Sequence, residues 1–567
     1  MVFHKASKSQ THSGRKSDKK KFLFCFFSFA LLFCVQTIPR LFNDAPTNDE
    51  GGNLTNGYYY WKGDVLSLIN KLHPPFTESL QALPLQFMPL SSKIASKVST
   101  PEQRAQSFFY GLNREYFPVM TVMGRSVSLL LGLFLGALLA WSCRESLVRC
   151  SITLALWAFE PNLLAFSPQI REDIPLTFWY FASVFVFQEV LKKPDWKRSL
   201  SAGWLTAAAV TTKFSAFILF PVFVYLEWLN RRGVKPGPRE AISGVAARWG
   251  LGLMVLGFWE FLVYLPGTLK LPDHHLPFFY FWQAITSVVS FFSSSKHPVF
   301  FKGVLSLESH WDYYPTAFLL KSTLPFLILL LLAVVLAFRK KILVPAWQWA
   351  PPLFFFLFAL PIHQIGLRQV LPIYPFLILI AASAGEWLWK TILPGQPHLA
   401  RVGLIGLLSF HALTTANHYP AHISYFNELV PPERRIYWLG DSNLDIGQDV
   451  KRLADTAKTR GWKNVKLAFF GPTDPALYGM AWDYWRESDL AGPQPGWVYV
   501  VNDAFFQLGP AFLRNAGLIS KGWISEKPPT GRIGDTWYYF EIPGAPNPKD
   551  SSRVLASAPF FKALNRY

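Results

Sequence analysis

Residues 119–141 read VMTVMGRSVSLLLGLFLGALLAW, and after a short basic link the chain resumes at 147–166 as LVRCSITLALWAFEPNLLAF. A helix needs about 20 apolar residues to cross about 30 Å of hydrocarbon. Two such runs joined by a link carrying Arg144 and Arg149 have the form of adjacent membrane helices with the link in the cytoplasm. Working outward, the same reading gives further runs at 22–40, 174–191, 199–212, 214–230, 249–267, 316–338, 350–365, 368–389 and 402–418. The expectation is a polytopic α-helical membrane protein of about 11 transmembrane helices.

Composition agrees. Of 567 residues, 51% are hydrophobic, 17% aromatic and only 16% charged, against about 25% charged in soluble domains. The net charge of +19 does not mark a nucleic-acid binder, because of where it sits. Residues 1–21 hold seven Lys or Arg, whereas residues 418–567 hold 17 basic and 15 acidic residues and are nearly neutral. Cys25, Cys34, Cys143 and Cys150 lie in or beside apolar runs, so no disulfide framework is expected.

The links set an orientation. If residues 1–21 are a cytoplasmic basic tail, the other cytoplasmic links carry Arg144 and Arg149; Lys192, Lys193, Lys197 and Arg198; Arg231, Arg232, Lys235 and Arg239; Arg339, Lys340 and Lys341; and Lys390 and Arg401. Every one is basic, as positive charge kept inside requires. The first run ends in Ile38-Pro39-Arg40 without a small-residue cleavage site and reads as a retained signal anchor. The transmembrane domain then covers 22–418, with outer loops at 41–118 and 268–315. An odd number of spans places 419–567 outside the plasma membrane. That segment reads as a soluble α/β domain: strands at Lys466–Phe470, Trp497–Val501 and Trp537–Phe540, with a polar helix at 447–460.

Several ionisable residues fall at membrane level, where they are costly and usually paired or functional. Asp49 and Glu50 follow the first run, and His73-Pro74-Pro75 comes later in that loop. Asp173 opens the fourth run after Arg171-Glu172, where an Arg171 surface pair with either acid is the plain alternative. Lys213, Lys321 and Arg368 are cations on the outer side, against the charge rule. Each alone can snorkel to headgroups, but together they suit a lipid phosphate.

The order Asp49-Glu50, His73-Pro74-Pro75, Asp173-Ile174-Pro175 and Thr212-Lys213-Phe214-Ser215 resembles bacterial family 39 glycosyltransferases. These are relatives of protein O-mannosyltransferases and lipid A aminoarabinose transferases. Gly366, Arg368, Pro372, Tyr374 and Pro375 extend the pattern, as does the tail stretch Asp441-Ser442-Asn443-Leu444-Asp445-Ile446-Gly447-Gln448-Asp449. The resemblance runs from about residue 40 to about 480. It implies a GT-C fold, a polyprenyl-phosphate-linked sugar donor, and transfer at the outer membrane face with inversion. One departure stands out: Gly51, Gly52 and Leu54 occupy positions where relatives carry Pro and then His. A more flexible loop is expected there.

The resemblance implies Asp49 as the catalytic base, with Glu50 as its rival and Asp173 supporting the acceptor or phosphate. Lys213, Lys321 and Arg368 would bind the donor phosphate, and His73 and Tyr374 the substrate. A structural turn at His73-Pro74-Pro75 is the alternative reading. Such chemistry needs a base for the acceptor hydroxyl and positive charge for the departing phosphate. A divalent metal is left open as a cofactor. Asp441, Asn443 and Asp445 are spaced like the start of a calcium loop, but Gly447 comes one place late and Arg452 replaces the chelating Glu. The acceptor is open among a glycolipid, a glycan and a protein hydroxyl. A transporter or flippase of an anionic or lipid-linked substrate is the rival class. Asn53-Leu54-Thr55 is a glycosylation sequon on the outer side.

Overall fold

The computed structural model describes residues 3–64, 73–93, 101–232, 238–269, 276–294, 298–362, 364–391, 396, 398–469, 471–507, 509, 523–546 and 554. Lys235 and Phe470, quoted above, lie outside the described residues, as do parts of both long loops.

Among the described residues, six helices are long and apolar enough to cross a membrane: Lys20–Asn43, Phe117–Ser142, Asp173–Lys192, Trp249–Pro266, Leu367–Lys390 and Leu399–Asn417. A seventh counts if the bent pair Tyr313–Lys321 and Leu324–Phe338 is one span. The expectation of about 11 spans is therefore overturned. Run 147–166 breaks at Glu160-Pro161 into Leu147–Ala158 and Pro161–Phe166. Proline has no N–H to continue the ladder and pushes its predecessor out of the helical region. Runs 199–212 and 214–230 become Trp196–Val210 and Leu219–Arg232, of 15 and 14 residues, separated at an extended Lys213. Run 350–365 becomes Ala346–Ala359, 14 residues long. At about 1.5 Å per residue these reach only about 22 Å. Run 316–338 turns by 116° at Ser322, where Thr323 caps a new helix opening with Leu324-Pro325.

Small residues let the helices approach closely. A Cβ at Gly136 would lie 2.5 Å from Trp157, whose ring stacks on Phe33 at 4.4 Å. This ties Phe117–Ser142 and Leu147–Ala158 to the helix Phe3–Asn43, which runs unbroken through the expected boundary at residue 21.

After the last long helix, the chain forms a five-stranded mixed sheet. The strands are β3 (Val465–Ala468), β4 (Asp483–Tyr484), β5 (Val498–Asn502), β6 (Gly531–Ile533) and β7 (Trp537–Glu541), in the order β4-β3-β5-β7-β6. The hairpin of β1 (Val299–Phe301) and β2 (Val304–Ser306) stands apart. β3 is parallel to β4 and β5, while β5, β7 and β6 run antiparallel. Alternation sorts β5: Tyr499 and Val501 enter one core and Val500 the other. The second core is covered by Val450–Arg460 through Val450, Leu453, Ala454 and Ala457. Gly461 ends that helix at φ 66°, a left-handed conformation that glycine adopts without strain.

Candidate active site

The site forms where three chain breaks meet. The first follows Lys20–Asn43, the second precedes Asp173–Lys192, and the third is the 3-10 turn Leu367–Ile373. Asp173 is the first residue of its helix and is buried. Its carboxylate lies between two cations: Arg368 Nη1 donates to Oδ2 at 3.2 Å, and Lys213 Nζ approaches Oδ1 at 3.4 Å. Lys213 also donates to Gln369 Oε1 at 2.7 Å. Burial lowers the Lys213 ammonium below its ordinary range, and Asp173 works against that shift.

Asp49 caps the helix Glu50–Trp61 in a left-handed conformation, φ 74°. Its side chain is 53% exposed, and Oδ2 accepts from Arg171 Nη1 at 2.8 Å. Arg171 also donates to the Asn48 carbonyl. The Arg171 pairing expected with Glu172 or Asp173 is thus made with Asp49 instead, because the turn 167–172 folds back under the first loop.

Glu50 points the other way. It is fully buried and accepts from Arg125 Nε at 2.9 Å, Arg125 Nη2 at 2.6 Å, Thr47 N at 2.7 Å and Ile170 N at 2.9 Å. Burial pushes its carboxyl up, and Arg125 with these donors more than offsets this, leaving it below the usual range. Arg125 spends its other protons on the carbonyls of Leu41, Asp44 and Ala45. Sequence reading passed over Arg125 inside an apolar run; a lone arginine amid membrane-spanning residues was itself the signal.

His73 is half-buried, with Nδ1 enclosed and without a hydrogen-bond partner among the described residues. Burial and then the field of Lys213 hold it near pKa 3, with Arg368 acting the same way and Asp173 and Asp49 opposing. It therefore stands beside this group as a neutral imidazole.

Two other expected residues lie elsewhere. Lys321 Nζ is buried and donates to the carbonyls of Ile423 and Asn443, both at 2.6 Å. Tyr374 is buried, its hydroxyl 2.9 Å from Ser322 Oγ and 3.1 Å from Asn162 Nδ2. The structure brings together Asp49, Asp173, Lys213, Arg368 and His73, and does not bring Glu50, Lys321 or Tyr374 onto the same carboxylate. Gln369 and Ser442 touch the two cations; Gln369 carried no sequence signal, and Ser442 appeared only within the tail stretch of the resemblance, with no role attached.

The glycine pair lies in a helix rather than a loop. Gly51 and Gly52 lie within Glu50–Trp61, where Asn53 N bonds Asp49 O at 2.7 Å and Gly51 packs on Phe109. Leu54 is fully buried against Gly124. Asn53 of the sequon is buried and donates to Ile170 O at 3.0 Å.

The calcium-like spacing does not make a cage. Asn443 Oδ1 receives Leu367 N, while Asp445 receives Gly447 N and Asn502 Nδ2. Among the described residues, no three His, Cys, Asp or Glu side chains converge in a metal-binding group.

Residues 107–265 match the family model of dolichyl-phosphate-mannose-protein mannosyltransferases. Comparison with curated protein sequences gives no match. Among solved structures, the chain is similar to apo ArnT of Cupriavidus metallidurans at 14% identity and a TM-score of 0.45, over 92% of this chain and 98% of that one. It is similar to the Archaeoglobus fulgidus oligosaccharyltransferase AglB, in complex with an inhibitory peptide and a dolichol-phosphate, at 11% identity and a TM-score of 0.43, over 89% and 71%. The Saccharomyces cerevisiae protein O-mannosyltransferase Pmt1–Pmt2 complex, bound to the sugar donor, aligns at 16% identity and a TM-score of 0.34, over 44% and 34%.

Proposed function

We propose that this multi-pass membrane protein is a glycosyltransferase that moves a sugar from a polyprenyl-phosphate donor to an acceptor hydroxyl. The observation that carries this reading is the Asp173 carboxylate shared by Lys213 and Arg368 beside the half-exposed Asp49. Two buried cations share this one acid, so an anion entering there meets both sets of N–H donors already gathered. A donor phosphate entering there would share both cations with Asp173. The likeness of residues 107–265 to the mannosyltransferase family supports the same reaction type.

In this reading Asp49 takes the proton of the acceptor hydroxyl as its oxygen attacks the anomeric carbon. The bond from that carbon to the phosphate oxygen breaks, and the phosphate leaves with the electron pair. Arg368 and Lys213 stabilise that charge, and Asp173 keeps the two cations together before the donor arrives. Attack opposite the leaving phosphate inverts the anomeric configuration. Arg171 fixes one oxygen of Asp49, whose exposure leaves the carboxylate open to an acceptor. Glu50 serves as the anchor of the loop rather than as a base, because its oxygens already receive four donors.

The site residues lie on the same side as the tail, since Asn48 N bonds Ile446 O and Arg368 bonds Ser442. The basic N-terminus lies at the opposite end of Lys20–Asn43. That arrangement supports a cytoplasmic N-terminus with the site and tail outside, without any count of spans.

The test is transfer of a radiolabelled sugar from a polyprenyl-phosphate donor by the purified protein, with mass spectrometry of copurifying lipids to identify the sugar. Absence of both transfer and polyprenyl-phosphate binding would sink the reading.

A further inference from the structure

The tail stretch 440–448 touches both halves of the site. At its start, Ser442 Oγ accepts from Arg368 Nε at 3.0 Å and donates to the Ile365 carbonyl. Ser442 is 2% exposed. Asn443 Oδ1 accepts from Leu367 N at 3.0 Å, and its amide donates to Tyr313 Oη at 2.9 Å. The fit is close: Gly366 has φ +140°, and a Cβ there would fall 2.1 Å from Ser442 Oγ. Only glycine admits both that conformation and the serine. Lys321 holds the loop from below through the Asn443 carbonyl.

At its far end the same stretch grips the loop that carries Asp49. Ala45 N bonds Gln448 O and Asn48 N bonds Ile446 O, both at 2.9 Å. Arg452 Nη2 reaches Asp44 Oδ1 at 2.8 Å, and Thr473 Oγ1 donates to Pro46 O at 2.8 Å. The tail therefore makes contacts both at the turn that carries the arginine and at the loop that carries the acid.

We propose that Ser442 is a positioning residue for Arg368: it occupies Nε so that the outer guanidinium edge is presented toward Asp173 and an incoming donor phosphate. An arginine binds phosphate through a planar fork, so the rotation of the fork decides whether one or two bonds form. Nη1 already points to Asp173, and a fixed Nε sets the plane of the group. This inference rests on the phosphate role proposed above for Arg368.

The experiment is a double-mutant cycle on the full-length protein in nanodiscs, with undecaprenyl phosphate as the probe and melting temperature recorded for each variant. Ser442→Ala should weaken binding about tenfold, the size of one lost hydrogen bond to a charged group. With a sugar donor, KM should rise while kcat at saturation changes little. In the Arg368→Ala background, Ser442→Ala should cost nothing further. Ser442→Cys keeps the volume with a weak acceptor and runs the same cycle if the alanine variant does not fold. Equal losses in both backgrounds would show that Ser442 acts on the fold and overturn the inference. So would a silent Ser442→Ala where Arg368→Ala weakens binding. If Arg368→Ala itself binds as wild type, the phosphate reading fails first and this inference with it.

Discussion

Asp49 and Glu50 are adjacent in sequence and occupy opposite environments. The Asp49 carboxylate is 53% exposed and held at one oxygen by Arg171, whereas the Glu50 carboxylate is fully buried on Arg125. The left-handed φ of Asp49 turns the chain between them, so the two side chains diverge. Asp49→Asn should lower turnover about 100- to 10,000-fold with only a small fall in melting temperature, because the amide oxygen can still accept from Arg171 and the side chain is 53% exposed to water. Glu50→Gln should instead cost about 3–5 kcal/mol of stability by leaving Arg125 buried without its counter-charge. Transfer assays paired with thermal melts check both, and full activity in Asp49→Asn would move the base elsewhere.

Arg368→Ala and Lys213→Ala should each weaken binding of a polyprenyl phosphate by roughly 30- to 1,000-fold, the range for a lost desolvated phosphate contact. Acceptor affinity should hold. Titration of the lipid phosphate against each variant reads this directly, and wild-type affinity in both would leave the cations with a packing role only.

His73 gives the site a pH dependence. Its folded pKa of about 3 lies below the unfolded value. Its contribution to stability is therefore present above about pH 6.5 and is lost as pH falls toward 3. Between pH 7.5 and 5 the wild type should lose about 1–2 kcal/mol through this group. His73→Gln should flatten that part of the melting profile, and an unchanged slope would place the imidazole in water.

Asp503 in the tail is buried, and among the described residues neither carboxylate oxygen meets a hydrogen-bond partner at normal geometry. Burial and then Asp445 hold its carboxyl well above the ordinary range. A raised folded pKa gives stability that is full at low pH and lost as pH rises. Asp503→Asn should stabilise the protein more at pH 7 than at pH 5. Equal shifts at both pH values would contradict the burial of the charge.

Cysteine labelling tests the orientation. Lys458 and Arg144 are both exposed. Lys458→Cys on the tail should react with an impermeant reagent in intact cells, and Arg144→Cys should react only after lysis. Labelling of Arg144→Cys from outside would reverse the membrane sidedness of the site.

The sequence by itself determined that the chain is an apolar, many-helix protein with a mixed α/β segment at its end, because these follow from local composition and periodicity. It also singled out Asp49, Asp173, Lys213 and Arg368, since charges at membrane level are too costly to be there by default. It did not determine how many runs become spanning helices. A run of apolar letters says nothing of the turn at Glu160-Pro161, the extended Lys213 or the bend at Ser322, where capping and proline geometry divide it. Nor did it separate Asp49 from Glu50, or set Lys321 apart from Lys213. Lys321 looks like any other outer-side cation, yet its ammonium is committed to the carbonyls of Ile423 and Asn443, residues 102 and 122 positions away. Which partner a buried charge finds depends on groups far off in the chain, and only the tertiary structure brings those groups within hydrogen-bond reach.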